Sequence, residues 1–345
     1  MEYSITEKLI RKSKADIEAS DSITIVMHHN PDGDALGASL GMYLLLKKLG
    51  KKVQVIAPSP YPDFLSWMKG HGDVIIGSRD KAQTLKALQN TELLILLDFN
   101  VLNRTDWMEP EIRKLSCRSL LIDHHPNPGN FADTIISSTE PSSTSELVYQ
   151  FIHKSGWSEM LDKDMGECLY AGIMTDTGGF SHNSSRPETF ETVASLLKAG
   201  IDKDKVFARV YNNYSFDRMR FLGHALKEKM QHLPDYNTAF IVLTKEEQDA
   251  YNFKAGDTEG FVNHPLSIQD TVFSAFFLEK EDYVKISFRS IGDFPANEFS
   301  ARHFNGGGHV NAAGGESHLS IHETVKKFVQ ELPSYVDKLK NNETD

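Results

Sequence analysis

Apolar and polar positions fall into short blocks along the N-terminal part of this chain. Ile23-Thr-Ile-Val26, Val53-Gln-Val-Ile56, Leu93–Leu97 and Arg118-Ser-Leu-Leu-Ile122 are apolar over most of their length, with Val74-Ile-Ile76 as a shorter fifth run. Such runs, bounded by turn residues, predict buried strands. Helical spacing lies between and around them, over residues 4–19 (apolar at Ile5, Leu9, Ile10 and Ile17), 35–49 and 81–90, and Gly50 stands where a helix would stop. Fully apolar strands separated by helices predict an α/β domain with a parallel sheet covered on both faces. Residues 144–154, 188–199, 203–212 and 216–230 also predict helices, the last rich in Lys and Glu. From Asn237 the pattern changes to strands over 238–243, 272–278 and 283–288, closing with a helix over 321–339. The predicted organisation is a parallel-sheet domain over 1–212, a helical connector over 213–234 and a smaller α+β domain over 235–340.

The residues just past each strand carry the chemistry. His28, Asp32 and Asp34 come directly after the first strand, where Pro31 and Gly33 force a turn. An imidazole with two carboxylates suits Mn, Mg, Fe or Zn. Taken alone, the stretch reads equally as an Asx-type turn capping the next helix, with His28 an ordinary strand-end residue. The other strands separate these readings. Leu93–Leu97 runs into Asp98, and the strand ending at Ile122 runs into Asp123-His124-His125. Parallel strands of one sheet share one C-terminal edge, so all these groups converge there, which favours a metal site. The apolar segment Leu169–Met174 likewise leads to Asp176, beside Gly178 and Gly179. Ser143-x-x-Glu146 reads as a capping box with no catalytic part.

Length and composition set bounds. A chain of 345 residues makes about two domains, and 40% hydrophobic with 25% charged residues is the balance of a soluble globular protein. The first residues lack a signal-peptide pattern, no apolar run approaches the length of a membrane span, and Cys117 and Cys168 stand far apart. The expectation is a cytoplasmic protein with no membrane partner. The formal charge of −11, from 37 basic and 48 acidic residues, argues against gripping long nucleic acid, where many Lys/Arg–phosphate contacts supply affinity. It leaves room for a small anionic substrate.

In order, these motifs resemble the DHH phosphoesterase superfamily, which includes RecJ-type exonucleases and family II pyrophosphatases. They are His28-His-Asn-Pro-Asp32-Gly-Asp34, Asp98 with Arg104, Asp123-His124-His125, and Asp176 in Met174-Thr-Asp-Thr-Gly. Phe304-Asn-Gly306-Gly307-Gly308-His309-Val-Asn-Ala-Ala-Gly314-Gly315 is similar to the signature of the DHHA1 domain, which the family II pyrophosphatases lack. The combination looks most like the nanoRNase/pAp phosphatase group. The resemblance spans roughly residues 20–335.

The resemblance implies a manganese-preferring hydrolase, with Mg or Fe as alternative ions. His28, Asp32 and Asp98 would hold one ion. Asp34, Asp98, His124 and Asp176 would hold a second, with Asp98 bridging. Asp123 would orient an imidazole, unless it is only a strand-end capping acid. His125 would contact the scissile phosphate or act as general acid. Arg104 would stabilise phosphate or pair with a carboxylate of the site. Gly306, Gly307, Gly308 and His309, with Arg289, would bind the far end of the substrate through a glycine loop with exposed N–H groups, and with the ions would form a ruler for short substrates. His29 is expected to pack, and Arg302 to lie on a helix surface. Substrates implied are very short RNA or DNA oligonucleotides and pAp, as for an exonuclease of oligoribonuclease type. Linear or cyclic dinucleotides (pApA, cyclic di-AMP) are the alternative, polyphosphate a weaker one, and a catalytically silent nucleotide-binding module the alternative of another class. A homodimer is compatible with the sequence. Two positions depart from relatives: Asn305, where a fourth glycine is common, and Gly179, where a bulkier or basic residue is common.

Overall fold

In the computed structural model, which describes residues 5–254 and 256–341, the chain divides into two compact units between Asn213 and Tyr214. The first unit runs α1 (Glu7–Glu18), β1 (Ser22–Val26), α2 (Gly33–Lys48), β2 (Lys52–Ala57), β3 (Val74–Ile76), α3 (Lys81–Gln89), β4 (Leu93–Leu97), α4 (Glu109–Ile112), β5 (Arg118–Asp123), β6 (Thr134–Ser137), α5 (Thr144–Lys154), α6 (Lys163–Asp176), α7 (Pro187–Lys198) and α8 (Lys203–Tyr211). Its strands pair in the order β3-β2-β1-β4-β5-β6, every pair parallel. The chain starts in the middle of the sheet, winds to one edge, and returns through β4 to the other. Between β1 and β4 the strand order reverses, and a crevice opens there past the strands' C-terminal ends. Apolar clusters cover both faces, one built on Ile23, Ile25, Leu36 and Leu40, the other on Val26, Leu94, Leu96 and Leu121. Every residue of β4 is therefore buried.

The segment Leu169–Met174 lies inside α6, a helix apolar on all sides, which sequence periodicity cannot tell from a buried strand. Glycines bring α2 and α6 into backbone contact. A Cβ on Gly37 would stand 2.5 Å from the Cys168 carbonyl oxygen.

The second unit comprises α9 (Phe216–His224), β7 (Met230–Leu233), β8 (Thr238–Leu243), α10 (Lys245–Ala250), β9 (Phe273–Glu279), β10 (Val284–Ser290), α11 (Ala296–His303), β11 (Gly307–His309), β12 (Ala312–Ser317), α12 (Ile321–Glu331) and α13 (Val336–Lys340). The strand order is β11-β12-β10-β9-β8-β7, antiparallel except for β8–β9. One face packs on α11, α12 and α13 through Phe273, Phe288, Phe299 and Phe328. On the other, Phe221 and Phe261 cover Ile241 and Phe276 of β8 and β9, whereas Lys285, Gly314 and Glu316 of β10 and β12 are exposed.

Two sequence expectations change here. The helix expected over 216–230 gives way to a π-turn at Ala225–Lys229, and Met230 already begins β7, paired with β8. The Lys/Glu-rich stretch favours helix, but the sheet edge captures its end, and Phe221 and Ala225 pack in the second unit's core. The closing helix breaks after Glu331, where Pro333 cannot supply an amide hydrogen. Among the described residues no helix is long and apolar enough to cross a membrane.

Candidate metal centre

The turn after β1 serves two purposes at once. Asp32 caps α2, its Oδ1 accepting the N–H groups of Asp34 and Ala35 at 3.0 Å each. Its Oδ2 faces His28 Nε2 at 3.9 Å. The capping and metal readings are thus compatible in one side chain. His28 Nδ1 lies 2.8 Å from the His29 carbonyl oxygen. A carbonyl only accepts, so Nδ1 carries a hydrogen and Nε2 is the ring atom turned to the site.

Asp98 follows β4 with φ +68, a left-handed conformation uncommon for a residue with a side chain. Its Oδ2 stands 3.5 Å from His28 Nε2, and its Oδ1 stands 3.9 Å from His124 Nε2. The two oxygens of one carboxylate therefore face two different imidazoles. His28, Asp32 and Asp98 form one group of potential ligands, and Asp34, His124 and Asp176 another, the ligand atoms of each lying within 4.8 Å of one another. Asp176 reaches His124 Nε2 at 3.3 Å from the last residue of α6. That helix is ended by Gly178 at φ +55, with Gly178 N–H donating to the Thr175 carbonyl and Gly179 N–H to that of Met174.

Asp123 orients His125, not its neighbour His124. His125 Nδ1 lies 2.7 Å from Asp123 Oδ1, and a carboxylate can only accept from it. Asp123 Oδ2 is buried with no hydrogen-bond partner among the described residues.

Charge crowding supports the same reading. Burial, then the charges of Asp98 and Asp176, push Asp34 well above the usual carboxylate range. Burial likewise pushes Asp176 up to about 6, against the pull of His124. Burial would lower His124, but Asp176, Asp34 and Asp98 outweigh it and raise the imidazole to about 9. Burial opposes ionisation of Asp98 too, yet His28, His125 and His124 outweigh that and hold it below the usual range. Protons alone satisfy this cluster poorly. Nitrogen and carboxylate donors in a buried, net-anionic group fit divalent cations.

The direction of these shifts predicts the behaviour of metal-stripped protein. Asp34 and Asp176 hold protons in the folded state that the unfolded chain releases above about pH 4. For Asp176 the stability this supplies is present at low pH and is lost as pH rises through about 6, and Asp34 acts in the same direction. His124 continues the trend, its contribution complete below about pH 6.5 and lost toward about 9. The Tm of chelated protein should therefore fall by several degrees between about pH 5 and about pH 9, and saturating Mn should cancel the fall. A chelated Tm that is flat or rising across that range would contradict the assigned cluster.

Sequence reasoning missed the start of α5. Thr144 and Ser145 donate their backbone N–H groups to Asp34, at 2.7 and 2.8 Å, and the Thr144 hydroxyl donates to Asp98 Oδ1 at 2.8 Å. The expected capping box is half present. Ser143 Oγ accepts from Glu146 N–H, but the Glu146 carboxylate turns to Ser142 and Thr189. Gly172 makes room for this contact, since a Cβ there would lie inside van der Waals contact with Ser145 Oγ and 2.8 Å from Asp34 Oδ1.

Arg104 is half-buried near the same group, and among the described residues no carboxylate pairs with it. Its carbonyl oxygen accepts the His29 N–H at 2.7 Å. His29 is partly exposed, and its Nδ1, 3.5 Å from Asp106 Oδ2, has no hydrogen-bond partner among the described residues. In the second unit, Arg289 of β10 and His309 of β11 both pair with Ala312 of β12. They lie in one row on one sheet face, two strand spacings or about 10 Å apart. The glycine run is mostly an edge strand and not a loop. The Gly306 N–H is taken by Ser300, and Gly308 sits at φ +145 where a Cβ would strike the Ala312 carbonyl. Arg302 is exposed on α11.

Fold and cluster together define a doubly wound α/β protein with a carboxylate–imidazole centre at its switch point. The chain belongs to the DHH family: residues 22–173 match the DHH family N-terminal domain, and residues 237–338 match the DHHA1 domain. It is similar to an exopolyphosphatase-related protein of solved structure from Bacteroides fragilis, at 44% identity and a TM-score of 0.94, over 97% of this chain and 98% of that one. It is 26% identical over 302 residues to the bifunctional oligoribonuclease and PAP phosphatase NrnA of Bacillus subtilis, covering 86% of this chain and 90% of that protein. RecJ from Thermus thermophilus, solved in complex with Mn2+, shares the fold at 13% identity and a TM-score of 0.53, over 96% of this chain and 55% of that one.

Proposed function

We propose that this chain is a metal-dependent phosphohydrolase that degrades very short oligonucleotides and dephosphorylates pAp. The observation that carries the reading is Asp98, whose two oxygens face His28 and His124 in two adjacent ligand groups. The activity named for the NrnA relative supplies the substrate class. His28, Asp32 and Asp98 would hold one ion, and Asp34, Asp98, His124 and Asp176 the other, Mn being preferred. Two such ions, when bound, supply an activated hydroxide and neutralise the phosphoryl oxygens.

The chain's own groups do the rest. His125, its Nδ1–H held by Asp123, presents Nε2 as the general acid for the leaving oxygen. Arg104, without a carboxylate partner among the described residues, is available to the phosphate. Arg289 and His309 grip the part of the nucleotide that does not react, Arg289 through its planar fork. The exposed face of β10 and β12 carries a Gly314 floor that leaves room for a base or ribose.

The deciding experiment is a comparison of initial rates, with Mn, on pAp, pApA, cyclic di-AMP, polyphosphate and RNAs of graded length. Highest kcat/KM on pAp and two- or three-residue RNA supports the reading. No Mn-dependent hydrolysis of any of them would end it. His309→Ala should lower kcat/KM on pAp and two-residue RNA by the value of a charged hydrogen bond, about 1.5–3 kcal/mol or roughly 10–150-fold. Bis-p-nitrophenyl phosphate, which lacks the nucleotide part assigned to His309, should be hydrolysed nearly normally. Equal losses on both would move His309 out of substrate binding.

A further inference from the structure

The sequence Ser142-Ser-Thr-Ser-Glu146 is five consecutive polar residues, each no more than 1% exposed. A polar run normally lies on the surface, and burial costs free energy unless every group is bonded. Here the bonds lead to the carboxylates of the centre. Glu146 braces the turn, accepting from Ser142 N–H at 2.9 Å, Ser142 Oγ at 2.7 Å and Thr189 Oγ1 at 2.9 Å. The braced turn aims the first two amides of α5 at Asp34, one on each oxygen. It also sets the Thr144 hydroxyl on Asp98 Oδ1.

We propose that Thr144 is a positioning residue for the metal centre: its hydroxyl fixes the rotation of the Asp98 carboxylate so that each oxygen serves one ion position. The inference rests on the two-ion reading above. Asp98 needs such a guide. It stands in a left-handed conformation just past its strand, and its side-chain torsion decides whether Oδ1 turns toward His124 or away. A carboxylate oxygen has two lone pairs, so accepting from Thr144 leaves one on Oδ1 for an ion. Thr144 is fully buried, and no water can replace its hydroxyl without a cavity being opened. The α5 amides hold Asp34 in the same frame, so one helix start sets carboxylates that lie far apart in sequence.

The test compares Thr144→Val, Thr144→Ser and wild type by stepwise Mn binding, read from the electron paramagnetic resonance signal of free Mn2+. Valine keeps the shape and the β-branch but cannot donate. Thr144→Val should weaken Mn binding by about 10–100-fold, the usual loss when a group that orients a ligand is removed. Thr144→Ser should restore it to within a few-fold of wild type. If Thr144→Val does not fold, Thr144→Ala takes its place, with serine still the rescue. Equal Mn affinity in the hydroxyl-bearing and hydroxyl-lacking variants overturns the proposal, as does a serine variant that folds and binds no better than valine. Wild-type protein that binds fewer than two Mn would instead overturn the two-ion reading, so the two failures are distinct.

Discussion

Asp98→Asn is expected to abolish turnover and to weaken metal binding at both positions together. The substitution preserves volume, so the fold should persist, but the amide offers one oxygen where the carboxylate offers two. If that oxygen accepts from Thr144, the NH2 faces His28 Nε2, which stands 3.5 Å from Oδ2 in the native side chain. If it turns toward His28, the NH2 confronts the Thr144 hydroxyl. Either way one ion position loses its donor, and both lose a shared negative charge. The loss should exceed the roughly 10–100-fold that accompanies removal of an orienting partner. Metal content after desalting and the initial rate on pAp should fall together. Full occupancy with a normal rate would remove Asp98 from the bridging role.

The second large effect is expected from His125→Ala. Its Nδ1 lies 2.7 Å from Asp123 Oδ1 and 3.8 Å from Asp98 Oδ1, and Nε2 is the atom proposed to meet the substrate. Removing the proposed general acid should reduce kcat by about 10²–10⁴-fold with bound Mn unchanged. Asp98, Asp123 and His125 also lie close enough to form a ligand group of their own. Loss of Mn from His125→Ala would therefore make His125 a ligand and leave the acid unassigned.

The first-unit sheet and its centre were readable in the sequence for one physical reason. Leu93–Leu97 and the run ending at Ile122 are too apolar to lie anywhere but inside a covered parallel sheet, and a polar group directly after such a strand must sit at the shared edge. The positions of His28, Asp98 and His124 result from that, and the structure brings all three together. Contacts with long sequence separation and no periodic signal escaped. Ser143-Thr144-Ser145 looks like any helix cap, because nothing local shows that its amides meet Asp34 and its hydroxyl meets Asp98. Likewise the adjacency of Asp123 and His124 does not reveal that the carboxylate turns to His125, two residues on and on its own side of the strand end. In the second unit the glycines of β11 carry no hydrophobic pattern, so an edge strand read as a loop. The end of the Lys/Glu-rich helix was hidden because sheet pairing by Met230 outweighs helix preference.

The strand order also bears on the rates of folding and unfolding. Along the chain, β2 and β3 come between β1 and its neighbour β4, and Asp176 follows later still, at the end of α6. No N-terminal fragment that stops short of Asp176 holds both ligand groups, so a cation has a complete centre only once α6 is in place. Long-range parallel pairing is itself slow, and its loop-closure entropy is met before any ion can contribute. Mn should therefore leave the refolding rate nearly unchanged and act almost wholly on the reverse step, tying β1, β4, β5 and α6 together once they meet. An ion at this centre is a brake on unfolding and not a template for folding.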